Sequence, residues 1–150
     1  VRNISDLQSL LEGGQRFAEE ELDAEGTVVA TAFVVTPLDT HVLRMAAQHD
    51  SKTAFLRAVR LYAKTRGAVA VCLVAEVGYE THSLRDGVLS PIPTSQGDGI
   101  LVCAYGIGGV RACALARLSN RAISDWCYIQ ADEITGEFSD LGISGAQILN

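Results

Sequence analysis

The chain is short of the residues that most often announce a function. Among its 150 residues it has one Trp, one Met, four Tyr, four Phe, three Pro and three His. No apolar stretch of about 18 residues runs free of charge or turn residues, so no membrane-spanning helix is written into it. Neither C-x-x-C nor H-E-x-x-H occurs, which leaves no metal-ligand spacing, and no metal or cofactor is expected. There is no G-x-S-x-G elbow and no Walker A loop. Gly106-Ile-Gly-Gly-Val-Arg111 imitates a dinucleotide fingerprint, but it lacks the third glycine and runs into strand-like residues, so it reads as a hairpin turn. The N-terminus has no basic region followed by an apolar run, so a secretory signal is not expected there.

What is present is a composition of 48 % apolar and 20 % charged residues, which suits one globular domain spanning 1–150. The formal charge is -6, with Glu12, Glu19, Glu20, Glu21, Asp23 and Glu25 crowded near the start. Such a face repels phosphate, so nucleic-acid and anionic-membrane partners are not expected. Cys72, Cys103, Cys113 and Cys127 all lie in apolar, strand-like runs. They read as buried thiols in a reducing, cytoplasmic compartment.

The apolar spacing of Leu7, Leu10, Leu11, Phe17, Ala18 and Leu22 predicts a first helix, opened by a Ser5–Gln8 capping box and ended by Gly26. Its face resumes in phase after Gly13-Gly14, which favours one weakened helix over two short ones. Thr27–Val35 is rich in β-branched residues and predicts a strand; after a turn at 36–40, residues 41–46 return as its partner, with a helix over 41–48 as the competing reading. A second helix follows from Asp50 or Ser51 to Arg66, with Gly67 beyond its end.

Residues 68–79 form the most apolar strand and belong near the middle of the sheet. Residues 80–99 carry Gly87, Pro91, Pro93, Gly97 and Gly99 and read as a long loop, the kind that serves as a lid or binding loop. Runs at 100–107 and 110–117 around Gly108-Gly109 predict a two-residue hairpin turn that sets Tyr105 opposite Ala112 and Cys103 opposite Ala114. A further strand is expected over 123–130, and loops, a short helix or a partly frayed tail over 131–150. The fold class is therefore α+β: an antiparallel sheet of about five strands with two helices packed on one face. The strands at 69–77 and 100–107 are apolar on both sides, so the second face needs cover from the long loop, the tail or another subunit; hence an expected homodimer.

Glu76 is the one carboxylate inside the central strand. If buried it needs a partner or a raised pKa, and it can then act as an acid or base. His41 and His82 complete the candidate catalytic set. Tyr79, Arg85, Tyr105 and Arg111 are the candidate ligand-binding residues, and Trp126 and Tyr128 the candidate interface anchors. The layout of paired strands, helix 51–66 and then Val71-Cys-Leu-Val-Ala-Glu-Val-Gly-Tyr79 resembles a group of small uncharacterised bacterial and phage proteins. Their central strand ends in a Ser-Glu-Ala-Trp-like tetrad. Ala75, Glu76, Val77 and Gly78 stand in its place; Glu76 matches and the tryptophan is missing. The resemblance spans residues 28 to 118 and implies helix-on-sheet layout without an activity. The functional expectation is a small protein acting through a protein interface or a small-ligand pocket, with a hydrolase or isomerase built on Glu76 and a nearby His as the alternative.

Overall fold

A computed structural model describes residues 4–45, 51–92 and 95–129, apart from the side chains of Ile4, Ser5, Leu84, Arg85 and Leu89. The Asp50 cap, the Ser5 side chain and the tail 131–150 thus lie outside the described residues. Helix α1 (Ile4–Glu25) runs unbroken through Gly13-Gly14. Gly26 closes it in the left-handed region at φ 74°, its N–H donating to Leu22 O at 2.8 Å. Strands β1 (Thr31–Val35) and β2 (Thr40–Arg44) form the predicted hairpin, with Val35 opposite Thr40. Helix α2 (Lys52–Arg66) is capped by Ser51, whose Oγ accepts from the Ala54 N–H at 3.2 Å, and ends at Gly67 with φ 66°.

Strand β3 (Ala70–Thr81) is central, antiparallel to β1 on one side and to β6 (Ser95–Gly106) on the other. Between them the ribbon β4 (Leu84–Arg85) and β5 (Val88–Leu89) caps the hairpin. Strand β7 (Arg111–Ser119) follows β6, and the short β8 (Ala122–Ile123) and β9 (Cys127–Ile129) both pair with β7. The sheet order is β2-β1-β3-β6-β7, closed by β8 and β9.

The α+β class with an antiparallel sheet and two helices is what the residue pattern indicates, but the helices do not share a face. Phe55, Leu56, Val59 and Ala63 of α2 pack on Val71, Leu73, Ala75, Leu101, Cys103 and Tyr105. Leu7, Leu11, Ala18 and Leu22 of α1 pack on the alternate residues Cys72, Val74, Ile100, Val102 and Ala104. The topology supplies the reason. Because β1 is antiparallel to both β2 and β3, those two run parallel, and α2 is the crossover between them. Such crossovers are right-handed almost without exception, which fixes α2 on one face, and α1 covers the face left open. The second face therefore has its cover within the chain, and it offers no argument for a second subunit.

Two further expectations change. Among the described residues, 80–99 do not form an irregular loop: the β3–β6 ladder stays in register out to Thr81 opposite Ser95, and 84–85 pair with 88–89, so the described part forms an arm. The β6–β7 turn has three residues, not two. Gly106 N–H donates to Val110 O at 2.7 Å around Ile107–Gly109, with Gly108 and Gly109 at φ 79° and 80°. The extra residue moves the register by one, setting Tyr105 opposite Arg111 and Cys103 opposite Cys113.

Candidate functional site

Glu76 lies on the α1 side of β3, just where the buried part of the strand ends. Its Oε1 accepts from the Thr27 hydroxyl and from the Val28 N–H, both at 2.9 Å. The Lys52 ammonium donates to the Glu76 backbone carbonyl. The carboxylate thus ties the link between α1 and β1 to the central strand, and it supplies a partner for a half-buried backbone donor.

The two histidines lie elsewhere. Through the register, His41 aligns with Val34 and Val71, on the face that α2 covers. Glu76 is five residues further along β3, roughly 17 Å, two strands away and on the opposite face. His82 follows the end of β3, six residues and roughly 20 Å beyond Glu76. Each histidine has its own carboxylate. Nε2 of His41 is 2.8 Å from Asp39 Oδ1, and its Nδ1 is 2.9 Å from the Tyr62 hydroxyl. Arg66 lies over the Tyr62 ring at 5.1 Å. The Thr36 hydroxyl, and then His41 and Arg66, hold the Asp39 carboxyl below its usual range. This chain clasps the β1–β2 turn to the last turn of α2. Asp39 and Tyr62 did not stand out in the sequence, although Asp-x-His on one strand face was the available signal.

His82 Nδ1 is 2.8 Å from Ser90 O, and Nε2 is 3.1 Å from Glu80 Oε2. Both ring nitrogens face acceptors, which favours the imidazolium: the Ser90 carbonyl first, then Glu80, raise the pKa of His82. The Ser90 contact ties the two limbs of the arm, while Glu80 holds the ring from the same limb.

The candidate ligand residues are dispersed. The Tyr79 ring lies over the glycines of β6, where a Cβ at Gly97 would come 3.1 Å from its hydroxyl, and Arg117 is 5.9 Å from its centroid. Tyr105 is buried, and burial followed by the neighbouring Cys103 raises its pKa. Arg111 is half-buried directly opposite it. Arg85 pairs through its backbone with Val88, and its side chain lies outside the described residues. Trp126 turns inward, donating from Nε1 to Glu19 Oε1 at 2.8 Å, whereas Tyr128 stays exposed on β9.

Among the described residues, no three His, Cys, Asp or Glu side chains are grouped to hold a metal ion, and no helix is long and apolar enough to cross a membrane. The described residues thus form a three-layer α+β fold with an arm that extends the β3–β6 ladder. No protein-family model matches the chain, and no curated protein or solved structure matches it.

Proposed function

We propose that this domain is a protein-interaction module and that the β3–β6 arm is its contact element. One observation carries the reading. The ladder continues to Thr81 and Ser95, well past the last buried core residues of the two strands, Ala75 and Ile100. At its tip Val88 is 68 % exposed and Ile92 74 % exposed. The β4–β5 ribbon presents Val88 on paired backbone, which lowers the entropic cost of docking, and Ile92 follows in the bend beyond β5. The simplest assembly is a homodimer joined through the arms, in a cytoplasmic, reducing setting that suits the four free cysteines.

The test pairs sedimentation velocity with a photo-crosslinker at position 92. Wild-type chain is expected to dimerise with concentration, and Val88→Ser with Ile92→Ser to return it to monomer with an unchanged near-ultraviolet spectrum. A concentration-independent monomer removes the homodimer. If the crosslinker also captures no protein in an extract of the source cells, the arm is not a contact element.

A further inference from the structure

The three-residue turn at Ile107–Gly109 has a chemical consequence. Gly106 and Val110 exchange a backbone bond, so pairs along β6 and β7 alternate from there: 104 with 112 is hydrogen-bonded, 103 with 113 is not. Residues facing each other at a non-hydrogen-bonded pair have Cα atoms about 4.5 Å apart. That falls within the roughly 4.4–6.8 Å that a disulfide spans. Cys103 and Cys113 are such a pair, both free, on the face that α2 covers. With a two-residue turn Cys103 would have faced Ala114 and met no second thiol.

The two thiols differ. Cys103 donates its S–H to Cys113, and this with burial pushes its own pKa up. Accepting that bond, with the Arg111 charge nearby, makes Cys113 the more acidic of the two, against the opposing effect of its burial. Cys113 is also nearer the outside. Its outer flank is covered by β9, three residues long among the described residues, with Ile129 directly opposite and Cys127 and Tyr128 exposed. An outer strand so exposed opens locally at little cost. Cys72 is excluded: it lies on the opposite face, between Phe33 and Ala104, and burial pushes its thiol up to about 12.

We propose that Cys103 and Cys113 form a covalent modification site, a cross-strand dithiol that a small peroxide oxidises to a disulfide stapling β6 to β7. The Cys113 thiolate attacks the peroxide oxygen, forming an S–O bond and breaking O–O, and leaves Cys113 as a sulfenic acid with hydroxide, or alkoxide, as leaving group. The Cys103 sulfur then attacks the Cys113 sulfur. The S–S bond forms, the S–O bond breaks, and the Cys103 proton leaves with the oxygen as water. Two thiols lose two electrons and the peroxide gains two.

The experiment uses the full chain with Cys127→Ser, which removes the exposed thiol and leaves three of the four cysteines. Folded protein is treated with hydrogen peroxide, denatured, alkylated and digested with trypsin. Because Arg111 separates the two cysteines, the bridge must join peptide 86–111 to peptide 112–117. The expected result is that linked pair, loss of two hydrogens, a fall from three alkylatable thiols to one, and full reversal by dithiothreitol. Cys103→Ala should stop the reaction at a sulfenic acid on Cys113 that dimedone traps. Three thiols still alkylatable after peroxide overturn the proposal, as do a bridge that includes Cys72 and a Cys113 over-oxidised to sulfinic acid with no linked peptide.

Discussion

At the scale of single residues, the central carboxylate is an anchor. Glu76→Ala leaves the Val28 N–H without its partner, and an orphaned, partly buried donor costs about 1–3 kcal/mol. Urea unfolding should show that loss, with Glu76→Gln falling between it and wild type because an amide oxygen still accepts. An unmoved midpoint for the alanine variant would end the anchoring role. The glycine pair in α1 divides similarly. A Cβ on Gly14 would sit 2.6 Å from both Cys72 Sγ and Val102 Cγ1, whereas one on Gly13 meets nothing within 4 Å. Gly14 is the point where the helix touches the sheet. Gly13→Ala should therefore stabilise by about 0.5–1 kcal/mol through lost unfolded-state freedom. Gly14→Ala should destabilise by about 1–3 kcal/mol from overpacking. The opposite signs, read from paired denaturation curves, are the check. Helical spacing across the two glycines was visible in the sequence; which of them faces the sheet was not, because that depends on how closely β3 and β6 approach.

At the scale of elements, the ends of the second helix and the β1–β2 hairpin were legible, since Ser51, Gly67 and the turn at 36–39 act on their immediate neighbours. The arm was not. Glycines and prolines in 80–99 mark turns by local preference, yet here Gly97 and Gly99 sit in a strand, beneath Tyr79. His82 gives the arm a pH dependence whose sign follows from its raised pKa. The charged ring's tie to Ser90 and Glu80 is fully present below the unfolded value of about 6.5. It is lost as pH rises through the raised folded value. Amide exchange in the arm should therefore be slowest below about pH 6.5, after correction for intrinsic rates, and speed up as the ring deprotonates. His82→Ala should flatten that profile. A flat wild-type profile would count against the tie.

At the scale of the whole molecule, core and arm separate. The buried side chains of β3 end at Ala75 and those of β6 begin at Ile100. Replacing residues 80–96 with a two-residue Asn-Gly turn should leave the melting temperature within about 5 °C, as expected for a change near 1 kcal/mol in a domain of this size. A larger drop would make the arm part of the fold rather than an appendage. The layering also redistributes charge. Helix α1 carries seven acidic side chains and one arginine, α2 five cations and no acid, and they lie on opposite sides of the sheet. Net charge alone suggested an acidic particle; among the described residues the layers set an acidic helix on one side of the sheet and a basic helix on the other. The sequence by itself determined the helices, the strand character of the central segment and the antiparallel plan, because periodicity and caps act over a few residues. Tertiary structure alone decided which face each helix covers, the register that brings two cysteines together, and the distance between Glu76 and either histidine. A strand apolar on both sides accepts a helix on either, and only the crossover from β2 to β3 and the length of one turn remove the ambiguity.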